Sequence, residues 1–367
     1  MKKSNGTLIA LLLIAVHAVL FFVLMGQAGE RAMDKKSTEI SHPIVSDDIS
    51  PASKAVESLV AEMNQLTQAI PEPEPKIASG SNGIYTPSSE TGRLRSDRSA
   101  RHSQQNYAEL VDDPYQCAIV VDAQTGEILV EERAHAFGYP ASVTKLMTLL
   151  VCLEAIDRGE INLNDRVKIT DEVWQVGGSQ LYLDPRETDL TVEDMLYGIM
   201  VHSANDAARA LSLHVAGSRA AFVERMNWRA QKIGMSATRY VSDHGLPPEN
   251  QTQPDISTPY DIALLALACL RHPETLTYTG TELIYLREGN TMLATRNALT
   301  KRIDGYVGCD GLKTGYHKRG GFSLVATAER NGRRIVSVVL GSHDKDTRNA
   351  VSRQLLDQGF ETLEARR

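Results

Sequence analysis

Behind residue 115 the chain switches repeatedly between two hydrophobic periods. Residues 116 to 122 (Gln-Cys-Ala-Ile-Val-Val-Asp) and 127 to 132 are short β-rich runs with Thr125-Gly126 between them, a pattern that predicts a hairpin. From Ser142 to Ile156 the apolar positions Leu146, Leu149, Leu150 and Leu153 fall at helical spacing behind Pro140. Thr191 with Asp194 three residues on is a capping pattern that opens another helix, and Gly234 ends the one containing Phe222, Met226 and Trp228. Thr258-Pro259 reads as an N-cap followed by proline at the first helical position, for a helix running to about Leu270. Residues 322 to 330 and 333 to 340 are β-rich runs around Asn331-Gly332, the strongest short hairpin signal, and Val351, Leu355 and Phe360 mark a closing helix over about 346 to 360.

The order is a β-hairpin, a helical middle, three strands, then a helix. Hairpin-linked neighbours imply an antiparallel sheet, which the amino-terminal strands complete by pairing with the carboxy-terminal ones. The expected class is therefore mixed α/β of the α+β kind, an antiparallel sheet flanked by helices plus a helical subdomain, and not a doubly wound sheet.

The front of the chain follows other rules. Lys2 and Lys3 precede an apolar run from Leu8 to Met25 broken by His17, and no acidic residue occurs before Glu30. Such a segment directs export, and its lysines hold the amino terminus in the cytoplasm. Gly26-Gln27-Ala28 offers a small-x-small cleavage site. Residues 1 to 29 are thus a signal peptide or a signal anchor, and the long tether behind them favours the uncleaved anchor. Residues 30 to 106 hold one aromatic, Tyr85, and six of the 14 prolines, too little apolar surface to offset the entropy of ordering. They read as a disordered linker with a reach of about 50 Å. Within it Val56, Leu59, Met63, Leu66 and Ile70 form a two-heptad seam, short of a coiled coil and read as a transient amphipathic helix, with weak dimerisation as the alternative.

Charge follows the same division. Residues 1 to 106 carry 11 basic and 11 acidic side chains, so residues 107 to 367, the expected folded domain, carry the whole net charge of −7. That acidity argues against nucleic acid or an anionic lipid surface as the main partner. Cys117, Cys152, Cys269 and Cys309 could form two disulfides in an exported chain, but their apolar surroundings read as packed free thiols. The histidines form no His-Glu-x-x-His, and neither a metal nor another cofactor is expected.

Three short motifs carry candidate chemistry. Ser142-Val143-Thr144-Lys145 sets a hydroxyl and an amine one helical turn apart, and a lysine of lowered pKa can activate a serine. Ser-x-x-Lys arises by chance roughly once or twice in a chain of this length, so alone it decides little. Ser203-Ala204-Asn205 lies between two helical runs, where it could line a cleft or merely cap a helix. Lys313-Thr314-Gly315 lies on a strand-like segment, where a cation, a hydroxyl and a residue without a side chain would let a substrate backbone lie alongside.

In this order and spacing the three motifs strongly resemble those of the serine D-Ala-D-Ala carboxypeptidases, the low-molecular-mass penicillin-binding proteins. His202-Ser203-Ala204-Asn205-Asp206-Ala207-Ala208, His244-Gly245-Leu246 and Gly311-Leu312-Lys313-Thr314-Gly315-Tyr316 extend the likeness over about 115 to 360. The resemblance implies the transpeptidase fold shared with serine β-lactamases. It also implies that Ser142 attacks the bond between the terminal D-alanines of a peptidoglycan stem peptide to give an acyl-enzyme that water releases. Lys145 would be the base, its pKa held down by Lys313. Ser203 would relay a proton to the leaving amine, and Asn205 would orient Lys145 and the substrate amide. Backbone N–H groups of Ser142 and Tyr316 would form the oxyanion hole, worth about 3 to 4 kcal/mol per donor. Lys313, Thr314, Gly315 and Arg348 would bind substrate, Arg348 and Thr314 through its carboxylate; read on its own, Arg348 is equally an exposed arginine on a helix face.

β-Lactams are then expected inhibitors. Efficient β-lactam hydrolysis is not expected, because no Glu-x-x-Leu-Asn segment occurs between Ser203 and Lys313. Many relatives add a second β-rich domain and a carboxy-terminal membrane helix, whereas here the anchor is expected at the front, with the catalytic domain outside the cytoplasmic membrane in the bacterial envelope. A D,D-endopeptidase that cleaves crosslinks and a penicillin-binding sensor without turnover are the alternative readings.

Overall fold

The computed structural model describes residues 114–247 and 254–366. The expected anchor (1 to 29), the linker (30 to 106) and its seam from Val56 to Ile70 lie outside the described residues. No helix among the described residues is long and apolar enough to cross a membrane.

Strands β1 (Cys117–Asp122) and β2 (Ile128–Glu132) form the first hairpin. A 3-10 turn (Ala141–Thr144) leads into α1 (Lys145–Asp157), followed by the short α2 (Asp171–Trp174) and α3 (Val192–Tyr197). A π turn (Gly198–His202) precedes α4 (Asn205–Ala216), and then come α5 (Arg219–Lys232), α6 (Pro259–Leu270) and α7 (Glu274–Gly280). The chain returns through β3 (Leu283–Leu286), β4 (Thr291–Ala294), β5 (Cys309–His317), β6 (Gly321–Arg330) and β7 (Arg333–Ser342) to α8 (Lys345–Ala365).

The main sheet has the order β2-β1-β7-β6-β5, and every pairing is antiparallel. The amino-terminal hairpin is thus joined to the carboxy-terminal strands as expected. All six residues of β1 are buried, because the strand is covered on both faces. Ile119 and Val121 face the helical layer while Ala118 and Val120 face α8, the period-two alternation of a strand between two apolar layers. Gly359 lets α8 approach the sheet, since a Cβ there would lie 2.8 Å from Val120.

The local signals act as read. The Thr191 hydroxyl accepts from the Asp194 amide in a complete capping box, and Thr258 caps α6 the same way through Asp261. Asn331 and Gly332 both take positive φ, 53° and 73°, as their hairpin turn requires. The helix expected from Ser142 begins instead at Lys145, with Ser142 in the tighter 3-10 turn before it. The closing helix starts where the Asp344 side chain caps it by accepting from the Asp346 and Thr347 amides, and it runs past the expected end to Ala365, with Leu363 continuing its buried face. None of the four cysteines forms a disulfide among the described residues, and burial pushes the Cys152 thiol up to about 12.

Candidate active site

The 3-10 turn is gripped from two sides by glycines. A Cβ on Gly245, whose φ is +93°, would lie 2.0 Å from the Ala141 carbonyl oxygen and 2.9 Å from the Ser142 amide nitrogen. A Cβ on Gly315 would lie 2.6 Å from the Pro140 carbonyl oxygen. The bare backbone of Gly315 therefore makes room for the turn that carries Ser142, a packing requirement beside its expected use along the substrate. The same approach sets Tyr316 on the strand segment next to Ser142, so the two expected oxyanion donors lie on abutting pieces of backbone.

In a 3-10 turn, side chains three apart eclipse each other, which brings Lys145 over Ser142. Lys145 is fully buried; its Nζ donates to Ser142 Oγ at 3.2 Å, to Asn205 Oδ1 at 2.6 Å and to the His244 carbonyl oxygen at 2.6 Å. Burial pulls its pKa down to about 7 against the pull of Asp243 and Asp255, with Arg296 adding to the decrease. Here the expectation is corrected, since burial and not Lys313 is the main cause. Lys313 itself is held well below the usual lysine range, first by burial and then by Lys145, Arg296 and Arg348.

Lys313 on β5 donates to Ser203 Oγ at 3.0 Å and to the Thr314 carbonyl at 3.1 Å. Ser203 closes the π turn with φ +63°, a left-handed conformation that costs an ordinary side chain about 1 to 3 kcal/mol and concentrates at working sites. The capping role for this tripeptide is not realised. Ala204 occupies the N-cap of α4, and Asn205 spends its amide on Lys145 and on the Gly177 carbonyl at 2.8 Å. The loop is pinned from below, where Asp206 accepts from the Leu181 and Leu183 amides and the Asn205 amide donates to Ser179.

Thr314 is 8 % exposed and Arg348 6 %, so Arg348 is not an arginine on an open helix face. Its guanidinium meets the Asn349 carboxamide at 2.8 and 3.1 Å, and burial lowers its pKa to about 10. Sequence reasoning passed over Arg296, an exposed residue just after β4, which repels both lysines and approaches His202 Nε2 at 3.4 Å. It also passed over Asp243 and Asp255, the buried carboxylates behind Lys145. Four basic side chains, Lys145, Lys313, Arg296 and Arg348, thus influence one cleft of an acidic chain. Such a site favours a substrate bearing a carboxylate, and its part-buried serine beside a buried lysine suits acyl transfer.

A family model described as D-alanyl-D-alanine carboxypeptidase matches residues 105–344. The D-alanyl-D-alanine carboxypeptidase DacF of Bacillus subtilis is 34 % identical over 247 residues, which make up 67 % of this chain and 62 % of that protein. DacD of Escherichia coli is 34 % identical over 256 residues, 67 % of this chain and 64 % of its own length. The chain thus spans a little under two thirds of these relatives. Among solved structures, penicillin-binding protein D2 from Listeria monocytogenes in its ampicillin-bound form superposes with a TM-score of 0.61 at 32 % identity, over 67 % of this chain and 97 % of that one. The fold is that of the low-molecular-mass penicillin-binding proteins, and the chain belongs to the D-alanyl-D-alanine carboxypeptidase family.

Proposed function

We propose that this protein is a serine D-Ala-D-Ala carboxypeptidase that removes the terminal D-Ala from peptidoglycan stem pentapeptides and is inhibited by β-lactams. The observation that carries this is the amine of Lys145, buried, with its pKa drawn down to about 7 and 3.2 Å from the Ser142 hydroxyl.

The neutral amine takes the Ser142 proton as Oγ adds to the carbonyl carbon of the penultimate D-Ala. The oxyanion rests on the Ser142 and Tyr316 amides. As the carbon–nitrogen bond breaks, the proton that Lys145 took passes through Ser203, oriented by Lys313, to the leaving amine, and Lys145 is neutral again. Thr314, Lys313 and Arg348 receive the terminal carboxylate. Water then adds to the acyl-enzyme, Lys145 again accepts a proton, and the shortened peptide leaves. A β-lactam follows the first half of this course, its opened ring remaining attached to Ser142.

The apolar segment at residues 8 to 25 supports export, with the catalytic part held outside the cytoplasmic membrane by an uncleaved anchor. Incubating the purified protein with a mixture of pentapeptide and crosslinked muropeptides tests the reading. Release of free D-Ala, lost in Ser142→Ala together with fluorescent penicillin labelling, is the expected result. Cleavage of crosslinks alone would make it an endopeptidase, and a stable adduct without product a sensor.

A further inference from the structure

Asp255 lies just before α6, outside every motif, yet it is 2 % exposed and its carboxylate is fully engaged. Oδ1 accepts from the Val241 amide at 2.7 Å and the Ser242 amide at 3.0 Å, while Oδ2 accepts from Thr144 Oγ1 at 2.8 Å and Ser242 Oγ at 2.9 Å. Thr144 is the residue before Lys145. Val241 and Ser242 lead into His244, whose carbonyl accepts from Lys145 Nζ, and the Ser242 hydroxyl also accepts from the Gly245 amide at 2.8 Å. One carboxylate therefore ties the start of α1 to the loop that receives the amine. A second tie, Thr148 Oγ1 donating to the Asp243 carbonyl at 2.6 Å, lies one turn further along the helix.

We propose that Asp255 is a positioning residue for the general base, clamping Thr144 to Val241–Ser242 so that Lys145 is held between the His244 carbonyl and the Ser142 hydroxyl. The inference rests on the reading of Lys145 as the base of Ser142. All four bonds are donated to Asp255, two to each oxygen, so a carboxamide there, with one accepting oxygen, could not keep them all. A carboxylate adds charge, and a buried one satisfied by four donors is a strong local field.

The charged and titratable groups around Lys145 are Asp255 and Asp243 behind it, Asp206 on α4, Arg296 just after β4, Lys313 on β5 and His244 in the loop. Burial holds His244 neutral, with a pKa near 3, and lifts Asp255 to about 6, so Asp255 is ionised where Lys145 titrates. Tyr240 also feels Asp255, and burial keeps that phenol protonated. The three carboxylates favour the ammonium form of Lys145, and Arg296 opposes them. Removing the Asp255 charge therefore makes Lys145 easier to deprotonate.

The test is the rate of acylation of the full chain by a fluorescent penicillin across about pH 5 to 9, beside a thermal melt. Asp255→Asn should acylate roughly ten- to a hundredfold more slowly, the scale of a misplaced catalytic group, and its acid limb should move to lower pH. Thr144→Val, which cuts one strap and keeps the charge, should slow acylation without moving the limb, and Thr144→Ser should restore the rate. Wild-type rate and limb in folded Asp255→Asn would overturn the proposal. Should that variant fail to fold, a wild-type rate in folded Thr144→Val would overturn it alone. Labelling that survives in Ser142→Ala would instead remove the catalytic reading itself.

Discussion

The Lys313 amine reaches the Ser203 hydroxyl at 3.0 Å, bridging β5 and the turn before α4. Neither residue has an acidic partner there among the described residues, and burial disfavours charge on the amine beside the hydroxyl expected to pass a proton. Replacing the amine by an apolar chain of similar length removes this burial cost and the cleft charge together. Lys313→Met is expected to melt no lower than the wild type while its acylation by penicillin falls about a hundredfold or more. A large drop in melting temperature with acylation preserved would show the residue to be structural.

Lys145 predicts a pH dependence of two kinds. Its amine is the reactive form, so acylation should rise with pH through about 7. Stability should move the same way. The folded state holds this proton less tightly than the unfolded chain, whose lysine keeps the ordinary 10.5, so this residue's contribution to stability grows from about 7 towards 10.5 and is lost below about 7. Lys145→Met should abolish acylation and flatten the stability gained over that interval, measured as denaturation midpoints at a series of pH values. An unchanged slope would mean that Lys145 is not the group responsible.

Gly245 predicts a steric effect on the nucleophile. A methyl group there would meet the Ala141 carbonyl at 2.0 Å with φ at +93°, so Gly245→Ala must displace either its own loop or the turn that holds Ser142. Acylation is expected to fall at least about tenfold, with a stability loss of about 1 to 3 kcal/mol. An active Gly245→Ala protein would show that the loop has room to withdraw.

What could be read without coordinates was whatever the chemistry writes locally. Ser142 with Lys145, Ser203 with Asn205, and Lys313 with Thr314 each lie within one turn or one strand step, so spacing alone exposes them. Arg296, Asp243 and Asp255 act across the fold from segments with no motif of their own. The source of Lys145's lowered pKa was misassigned for the same reason, because two lysines can be seen in a sequence but burial belongs to the packing around them.

Among the elements, the hairpin of β3 and β4 escaped notice. Its turn carries Arg287 and Glu288 at positive φ in place of an Asn-Gly signal. Its outer face leaves Leu283, Tyr285 and Met292 exposed, which erases the alternation of apolar and polar residues. The first and last strands were legible because β-branched runs flanked by Gly-containing turns have few other ways to fold.

The pairing of β1 with β7 also sets when the molecule can work. A ribosome makes β1 long before β7, and the segments that carry Ser142, Lys145, Ser203 and Asn205 are all made before β5, which brings Lys313 and Gly315 against them. Contacts so distant in sequence form late and slowly. A chain that ends before β5 therefore has Ser142 and Lys145 but lacks the strand that closes the cleft, and the proposed reactivity towards penicillin would need synthesis to have passed that strand.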